Sequence, residues 1–570
     1  MEKRWQILRP DPQAVNRLTV QLGCHPVIAG ILASRNFTTV EKATRFLKAP
    51  LSDLRNPLSL ADMDAAVNRI YRAIIHRQKI LIFGDYDVDG ITSTALLLDF
   101  LRALDVPVSY YIPHRIREGY GLHPAQVTEQ AIPQHIDLII TVDCGSGSHH
   151  AIRTARESGI DVIVTDHHEI DFPPPEACAV INPKRKDCPA GLENLAGVGV
   201  AFYLVIALRK HLREQNFWKN RPEPNLKQTC DLVALGTVAD MVPNLEENRI
   251  LIRAGLEVLN ARSRPGVDEL LRISGIHNRP VDAEDIAFRL APRLNAAGRL
   301  EHAAIAVELL TTRDTDKARQ ISVTLNSLNR IRQETEQAVH EEITQNLKAN
   351  PALLNRRTLV LAQEGWHEGI LGIVAGRLTR KLFRPVILIA IHDGFGKGSA
   401  RSIPGVNLYH ALEQCRDLLD NFGGHAMAAG VKIGTPAIKT LQDRFETVVA
   451  TSTPEENFIP SLTIDAVMDL PEISTGLIDA LEDLMPFGPG NHVPLFMAGN
   501  VKVDQVKIIG GKHRQLTLKC PGLPGGIIKA IQFNVDPSTP RPDHFMRIAY
   551  RLQWNHWNGR KTPQIVIEET

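Results

Sequence analysis

Carboxylates and imidazoles crowd three short stretches of the sequence. Phe83-Gly-Asp85-Tyr-Asp87-Val-Asp89-Gly90 carries acids at alternate positions, Thr141-Val-Asp143-Cys-Gly145 adds another, and Thr165-Asp166-His167-His168-Glu169 sets acids beside two histidines. Each stretch closes a short apolar run: Ile80–Phe83, Leu138–Val142 and Val162–Thr165. Such runs predict strands of a parallel sheet, and ligands of open parallel sheets lie beyond the carboxyl ends of the strands. An extended backbone would point Asp85, Asp87 and Asp89 to one side. Carboxylates and imidazoles converging at one sheet edge repel each other unless cations neutralise them, so the pattern implies bound divalent metal. Carboxylates with imidazole and no thiolate favour Mg²⁺ or Mn²⁺, and the imidazole tilts the choice toward Mn²⁺. Asp240, in Val238-Ala-Asp240-Met-Val-Pro243, is a candidate to complete a two-metal site. Two hard cations close together activate water and stabilise the attacking and leaving oxygens of a phosphoryl displacement. Taken singly, each aspartate reads as a turn or N-cap residue. His149 and His150 likewise read as the start of a helix. The agreement of three strand ends is what carries the chemistry.

The elements that position these residues show in the hydrophobic pattern. From residue 79 to 240, β-branched runs alternate with helical stretches such as Ser93–Leu104, which predicts a parallel sheet covered on both faces. Residues 315–348 place Ile321, Leu325, Leu328, Ile331, Ala338 and Ile343 at helical spacing without internal Gly or Pro. That predicts one long helix bridging two domains. A second α/β pattern follows: Thr358–Leu361, a helix over Ile370–Leu382, then Val386–Ile389. Thr451–Asn457 reads as a linker. Beyond it, short alternating segments separated by Gly and Pro predict a small β-barrel: Val501–Ile508, Gln515–Lys519, Ile527–Phe533, Phe545–Leu552 and Gln564–Ile567. The expected fold is therefore multidomain, two α/β domains joined by a long helix plus a C-terminal barrel. Its divisions fall at 1–50, 51–314, 315–350, 351–452 and 458–570.

A chain of 570 residues exceeds a single hydrophobic core. Lys+Arg 65 against Asp+Glu 64 leaves no whole-chain field, so binding to a polyanion must come from local patches. Residues 501–570 supply one, with 11 Lys/Arg against 5 Asp/Glu. There Trp554 and Trp557 sit among Arg551, His556, Arg560 and Lys561, which suits base stacking and backbone tracking on single strands. The alternative is that both tryptophans belong to the core. The 7 cysteines form no Cys-x-x-Cys pair, which excludes a disulfide framework or structural zinc and fits a reducing compartment. The N-terminus lacks the apolar core of a signal peptide and no apolar run reaches membrane length, so a cytoplasmic protein is expected.

Asp85-Tyr-Asp-Val-Asp-Gly-Ile-Thr-Ser93, Val142-Asp-Cys-Gly145, Asp166-His-His168 and Ala239-Asp240 together resemble the motifs of the DHH phosphoesterase superfamily. That resemblance implies that Asp87, Asp89, Asp143, His167 and Asp240 hold two Mn²⁺ or Mg²⁺ ions, with Asp85 and His168 close in to position water or phosphate. Trp366-His-Glu-Gly-Ile-Leu-Gly-Ile-Val-Ala-Gly-Arg377, Gly398-Ser-Ala-Arg401-Ser and Phe422-Gly-Gly-His425-Ala-Met-Ala-Ala-Gly430 resemble its DHHA1 substrate-binding domain. The implied phosphate-binding residues are Ser399, Arg401, Gly423, Gly424 and His425. A Gly-Gly turn lets phosphate approach backbone N–H groups, and an arginine fork grips phosphate oxygens. Glu368 stands where the family more usually has an uncharged residue.

Superfamily members include pyrophosphatases, oligoribonucleases and cyclic-dinucleotide phosphodiesterases, so these motifs leave the substrate open. Three further stretches resemble the RecJ family: Tyr111-Ile-Pro-His-Arg115-Ile-Arg-Glu-Gly-Tyr-Gly121, the basic loop Leu290-Ala-Pro-Arg-Leu-Asn-Ala-Ala-Gly-Arg299, and Pro486-Phe-Gly-Pro-Gly-Asn491, which opens a domain similar to its OB-fold. The resemblance implies a single-strand-specific 5′→3′ DNA exonuclease of recombination and repair that releases 5′-mononucleotides. Arg115 would help grip the terminal phosphate, and Arg299 would hold the strand behind it. It also implies a monomer that works with a single-strand DNA-binding protein and a RecQ-like helicase. Two rivals stand beside it: an enzyme of the same superfamily acting on small substrates, which needs no stacking platform, and a non-catalytic DNA-binding scaffold, which should lack metal ligands.

Overall fold

The structure, a computed structural model, describes residues 3–570 apart from 278, 524, 536–538 and 558–559 and the side chains of 556, 557 and 560. Five parallel strands build the first sheet, in the spatial order Val108–Tyr111, Ile80–Gly84, Leu138–Val142, Asp161–Thr165, Ala179–Ile181. The three inner strands are buried on both faces, which explains their unbroken apolar runs. From Ile80–Gly84 the chain moves outward to Val108–Tyr111, then returns to the other side to begin Leu138–Val142. That reversal opens a crevice at the carboxyl ends of the first and third strands, where doubly wound sheets take their ligands. Helix Val88–Arg102 leaves the crevice and packs against the sheet and helices Gly197–Glu214 and Cys230–Ala239. Nearly all of its residues are buried, so the turn in front of it has a rigid anchor.

A 35-residue helix, Thr315–Ala349, starts where the Asp314 carboxylate accepts the N–H groups of Asp316 and Lys317 at 2.9 and 3.1 Å. Its first half buries Ala318, Ile321 and Leu325 in the first domain, and its second half buries Val339, Ile343 and Leu347 in the next. The second sheet runs Asn421–Gly424, Ala428–Gly434, Phe395–Arg401, Val386–His392, Leu359–Glu364, and only the last two strands are parallel. The expected linker is partly structured. Helix Ile438–Ser452 runs into it, and a 3-10 turn at Glu455–Phe458 brings the Phe458 ring 5.4 Å from the Arg357 guanidinium.

Two segments differ from their sequence reading. Leu290–Arg299 is no loop: a π-helical turn at Ile286–Leu290 leads into helix Ala291–Leu300. Its mid-helix glycine is required because a Cβ on Gly298 would lie 2.5 Å from the Tyr86 carbonyl oxygen. The first fifty residues also do not stand apart. Strand Arg4–Ile7 pairs with Ser461–Ile464, and Leu18, Ile31 and Phe46 share one core with the C-terminal barrel. In that barrel, Phe496–Ile509 pairs with both His513–Lys519 and His544–Trp557, while Ile527–Gln532 and Arg560–Glu569 complete the ring. No helix among the described residues is long and apolar enough to cross a membrane.

Arg249 bolts the barrel to the first α/β domain. Its guanidinium is buried with no carboxylate partner among the described residues and donates to the carbonyls of Phe46, Leu484 and Met485 at 2.6, 3.0 and 2.8 Å. The Phe46 ring lies 3.8 Å beneath it. Arg249→Leu leaves those buried carbonyls unpaired and is expected to destabilise the interface by about 3 kcal/mol or more. Urea unfolding and limited proteolysis should show the C-terminal domain released at lower denaturant; an unchanged transition would refute the bolt.

Candidate active site

The first strand stops at Gly84, and the chain beyond it does not stay extended as the alternating aspartates suggested. Asp87 caps helix Val88–Arg102 instead, its Oδ1 accepting the N–H groups of Asp89 and Gly90 at 3.0 and 3.2 Å. Asp89 therefore lies in the first helical turn. A Cβ on Gly90 would come 2.5 Å from the Asp85 carbonyl oxygen, so only glycine permits a turn this tight. Asp89 then reaches the next helix, where its two carboxylate oxygens accept the N–H groups of Gly197 and Val198 at 2.6 and 2.8 Å. Burial first, then Asp87, pushes its pKa up to about 7 against the pull of those two donors.

Asp143 leaves its strand in the left-handed region, at φ 61°. It presses on Gly197, where a Cβ would lie 2.5 Å from Asp143 Oδ1. His167 Nε2 stands 3.1 Å from Asp143 Oδ1, 3.6 Å from Asp240 Oδ2 and 3.7 Å from Asp89 Oδ2. Asp240 arrives from the C-terminal end of helix Cys230–Ala239. Three sets of ligand atoms each fall within 4.8 Å of one another: Asp143 with His167 and His168; Asp89 with His167 and Asp240; Asp85 with Asp87 and Asp143. Asp85, Asp87, Asp89, Asp143, His167, His168 and Asp240 thus converge as expected, with Asp143 and His167 each shared by two sets.

The donor set suits a hard divalent cation. Asp85 Oδ1, Asp143 Oδ1 and His167 Nε2 are buried without a hydrogen-bond partner among the described residues. Burial, then the neighbouring carboxylates, holds Asp85 and Asp143 well above the usual carboxylate range and takes Asp240 up to about 9. Burial, then His168, brings His167 down to about 3, so its ring is neutral with a lone pair to give. Orphaned carboxylate oxygens beside a neutral imidazole are the ligands Mn²⁺ or Mg²⁺ accepts.

Sequence reasoning gave no role to the residues behind this cluster. Asp166 is buried and accepts hydrogen bonds from the N–H groups of Ser146, His167 and His168 at 2.9, 2.8 and 3.1 Å. His168 Nδ1 lies 2.8 Å from Asp166 Oδ1. Burial works against His168 protonation, but the bond to Asp166 and its charge outweigh it and raise the imidazole to about 9. Tyr120 Oη stands 2.9 Å from the same Nδ1 and donates to the Asp143 carbonyl at 3.2 Å. Asn182 donates to Ser146 Oγ and the His168 carbonyl at 2.8 and 2.9 Å. Asp166 and Tyr120 fell within recognisable motifs; nothing in the sequence marks Asn182.

Guanidiniums gather where the two α/β domains meet. Arg115 lies 4.8 Å over the Tyr86 ring, and Arg299 donates to the Gly369 carbonyl at 2.9 Å. Arg401 covers Gly372, where a Cβ would sit 2.7 Å from its Nη2. Burial, then Arg115, depresses both Arg299, to about 9, and Arg401. Positive charges gathered in this way favour an anion at the domain boundary. Arg115, Ser399 and Gly423 line one cleft of about 500 Å³. Gly424 takes φ 138°, a conformation that favours glycine, and His425 is exposed at the hairpin beyond it.

The barrel residues are less open than their sequence suggested. Trp554 is half-buried, its Nε1 donates to Asp479 at 2.9 Å, and Lys561 sits 4.6 Å over its ring. Lys561 in turn pairs with Asp479 and Glu482, both at 3.3 Å. The structure thus favours the core reading of this tryptophan over a free stacking platform. Arg551 pairs with Glu568 at 3.1 Å. The side chains of Trp557 and Arg560 lie outside the described residues.

Comparison with known proteins matches this architecture domain by domain. Residues 79–237 match the DHH family N-terminal domain, 355–451 the DHHA1 domain and 464–569 the RecJ OB domain. The single-stranded-DNA-specific exonuclease RecJ of Salmonella typhimurium is 37% identical over 584 residues, covering 100% of this chain and 99% of that protein. The chain belongs to the RecJ family. Crystal structures of RecJ from Thermus thermophilus agree. The complex with Mn²⁺ superposes with a TM-score of 0.84 at 30% identity, covering 99% of this chain and 79% of that one. The complex with Mg²⁺ gives 0.76 at 28% identity, with coverage of 99% and 78%.

In this RecJ-family site, protons compete with metal. Raised carboxylate pKa values mean that the metal-free folded protein binds more protons than the unfolded chain between the ordinary carboxylate range and about 9. Stability of the EDTA-treated protein should therefore fall as pH rises through that window. Mn²⁺, by displacing those protons, should raise Tm more at pH 8 than at pH 6. Thermal scans with and without Mn²⁺ check this; an equal shift at both pH values would contradict it.

Proposed function

We propose that the protein degrades single-stranded DNA from the 5′ end, hydrolysing one phosphodiester at a time with two Mn²⁺ or Mg²⁺ ions. The carrying observation is the acidic and imidazole cluster around Asp143, set at the sheet crevice beside the Arg115–Arg299–Arg401 group. The full-length likeness to single-stranded-DNA-specific exonucleases supports that substrate. In this reading Asp87, Asp89, Asp143, His167 and Asp240 would hold the ions, and Asp85 stands close by. The ions supply an activated water and neutralise charge on the phosphoryl oxygens.

The protein's own groups do the rest. Arg115, Ser399 and Arg401 grip the 5′-phosphate, with backbone N–H groups at Gly423 and Gly424 beside His425, and that grip fixes the first linkage over the acidic crevice. Arg299 holds the strand where the domains meet. His168, held by Asp166, keeps a proton on Nδ1 and presents Nε2 to the phosphate or the departing 3′ oxygen. Asp166 and Tyr120 act through His168 as positioning residues. The barrel, through Arg551, Trp557 and Arg560, carries the strand farther out, where Trp554 serves as packing. Seven free cysteines fit a reducing compartment. The reading therefore places the enzyme in the cytoplasm, as a monomer acting in recombination and repair with a single-strand DNA-binding protein and a RecQ-like helicase.

Oligonucleotides labelled at either end, single- and double-stranded, test this with Mn²⁺, Mg²⁺ or EDTA. Stepwise loss of 5′-mononucleotides from single strands is expected. Asp143→Ala should lower the rate about a thousand-fold or more, since several kcal/mol of transition-state stabilisation go at about 1.4 kcal/mol per factor of ten. Hydrolysis of pyrophosphate or cyclic dinucleotides alone would overturn the reading in favour of a small-substrate enzyme. DNA binding without hydrolysis would leave a scaffold.

A further inference from the structure

The strand face that carries Ser399 continues past it. In the sheet register Ser399 lies opposite Gly430, and Gly430 opposite Gly423. Two residues along, Lys397 lies opposite Lys432, and Lys432 opposite Asn421. Residues two apart on a strand share a face, so Lys397, Lys432 and Asn421 form a second row about 7 Å from the Ser399 row. The floor beside the Ser399 row is bare. A Cβ on Gly423 would meet nothing within 4 Å, and one on Gly430 only the Gly398 carbonyl at 3.9 Å. Both rows line the same cleft of about 500 Å³ as Arg115.

The charges of the second row point into use. Lys397 and Lys432 are both exposed. Lys432 has no carboxylate within ion-pair distance among the described residues and rests 5.6 Å over the Phe395 ring. Lys397 Nζ is 3.1 Å from Glu368. Glu368 thus holds one lysine of the row at the cleft wall. A single terminal phosphate needs only the first row, which leaves two cations and a glycine floor unassigned.

We propose that the cleft accepts a 5′-triphosphate end. This rests on the 5′→3′ reading above. The α-phosphate takes the Arg115–Ser399–Arg401 position, and the β- and γ-phosphates run over the glycine floor to Lys397 and Lys432. Two further phosphates joined through shared oxygens span about one row spacing. The reaction at the crevice is unchanged. A water oxygen bonds to the phosphorus of the first internucleotide linkage, the bond from that phosphorus to the 3′ oxygen of the end nucleotide breaks, and that oxygen takes up a proton. The products are a nucleoside 5′-triphosphate and a strand bearing a 5′-monophosphate; the polyphosphate itself stays whole. The substrate class so added is single-stranded DNA that carries a polyphosphorylated 5′ end.

The test uses one single-stranded oligonucleotide made with a 5′-hydroxyl, 5′-monophosphate or 5′-triphosphate, and full-length protein with Mn²⁺. The first product is identified by anion-exchange chromatography. Wild type should release the nucleoside triphosphate from the third substrate. Lys432→Glu, at an exposed position, should lower kcat/KM on the triphosphate end about ten-fold or more by setting a negative charge against it, and leave the monophosphate end within about two-fold. Lys397→Ala should shift the same ratio in the same direction. Cleavage of the monophosphate but not the triphosphate substrate overturns this inference alone. An equal loss on both ends in Lys432→Glu overturns it too, because the lysine would then serve the strand in general. Absence of 5′-directed cleavage on every substrate instead brings down the underlying reading.

Discussion

Five aspartates share one crevice, and their mutual repulsion is the constraint that the rest of the molecule answers. Asp85, Asp89 and Asp143 are buried, and Asp87 and Asp240 are packed against them. Burying unpaired carboxylates costs several kcal/mol each, so the surrounding elements must hold them in place. Helix Val88–Arg102 is packed on nearly all sides and cannot swing outward to relieve the charge. Gly90 and Gly197 remove the Cβ atoms that would hold Asp85 and Asp143 away. Asp89 commits both oxygens to the start of the next helix. Such a site is stable when cations enter it, because they displace the protons that its raised carboxylate pKa values otherwise retain.

A net charge of +1 hides how far the charges are separated. Acids fill the crevice floor, while Arg115, Arg299 and Arg401 gather at the rim where the second domain arrives. The 35-residue helix sets the distance between them, because each of its halves is embedded in a different core. Near its middle, buried Glu336 lies 2.9 Å from Arg332 and 3.7 Å from Arg377, which ties that helix to the one bearing Gly369. A phosphodiester chain entering such a gap meets cations at its end and metal at its first linkage. Long-range order in the fold becomes local order at the phosphate.

Strands were readable from sequence because they are buried on both faces, so Ile80–Phe83 and Leu138–Val142 stand out as apolar runs. The chemistry was readable because acids directly follow them. What the pattern concealed was conformation set by contact. Asp85–Asp89 looked extended from its alternation, yet Gly90 lets the chain fold into a helix start that gathers the same carboxylates. Leu290–Arg299 reads as a basic loop by resemblance, but Pro292 sits in the first helical turn and Gly298 is dictated by the Tyr86 carbonyl of another segment. Trp554 looked like a stacking platform among cations, while Asp479, far away in sequence, claims its N–H. Asn182 shows only through its hydrogen bonds across the sheet edge.

Anomalous diffraction at the manganese edge, from crystals of the Asp143→Ala and wild-type proteins soaked in Mn²⁺ with a 5′-phosphorylated oligonucleotide, bears most directly on the role of the crevice. The wild type should show two peaks flanking Asp143, one toward Asp89, His167 and Asp240 and one toward Asp85 and Asp87, with the 5′-phosphate on Arg401; the variant should lose at least one peak. A wild-type crevice without manganese, or peaks unchanged when Asp143 is gone, would contradict a metal centre built around this residue.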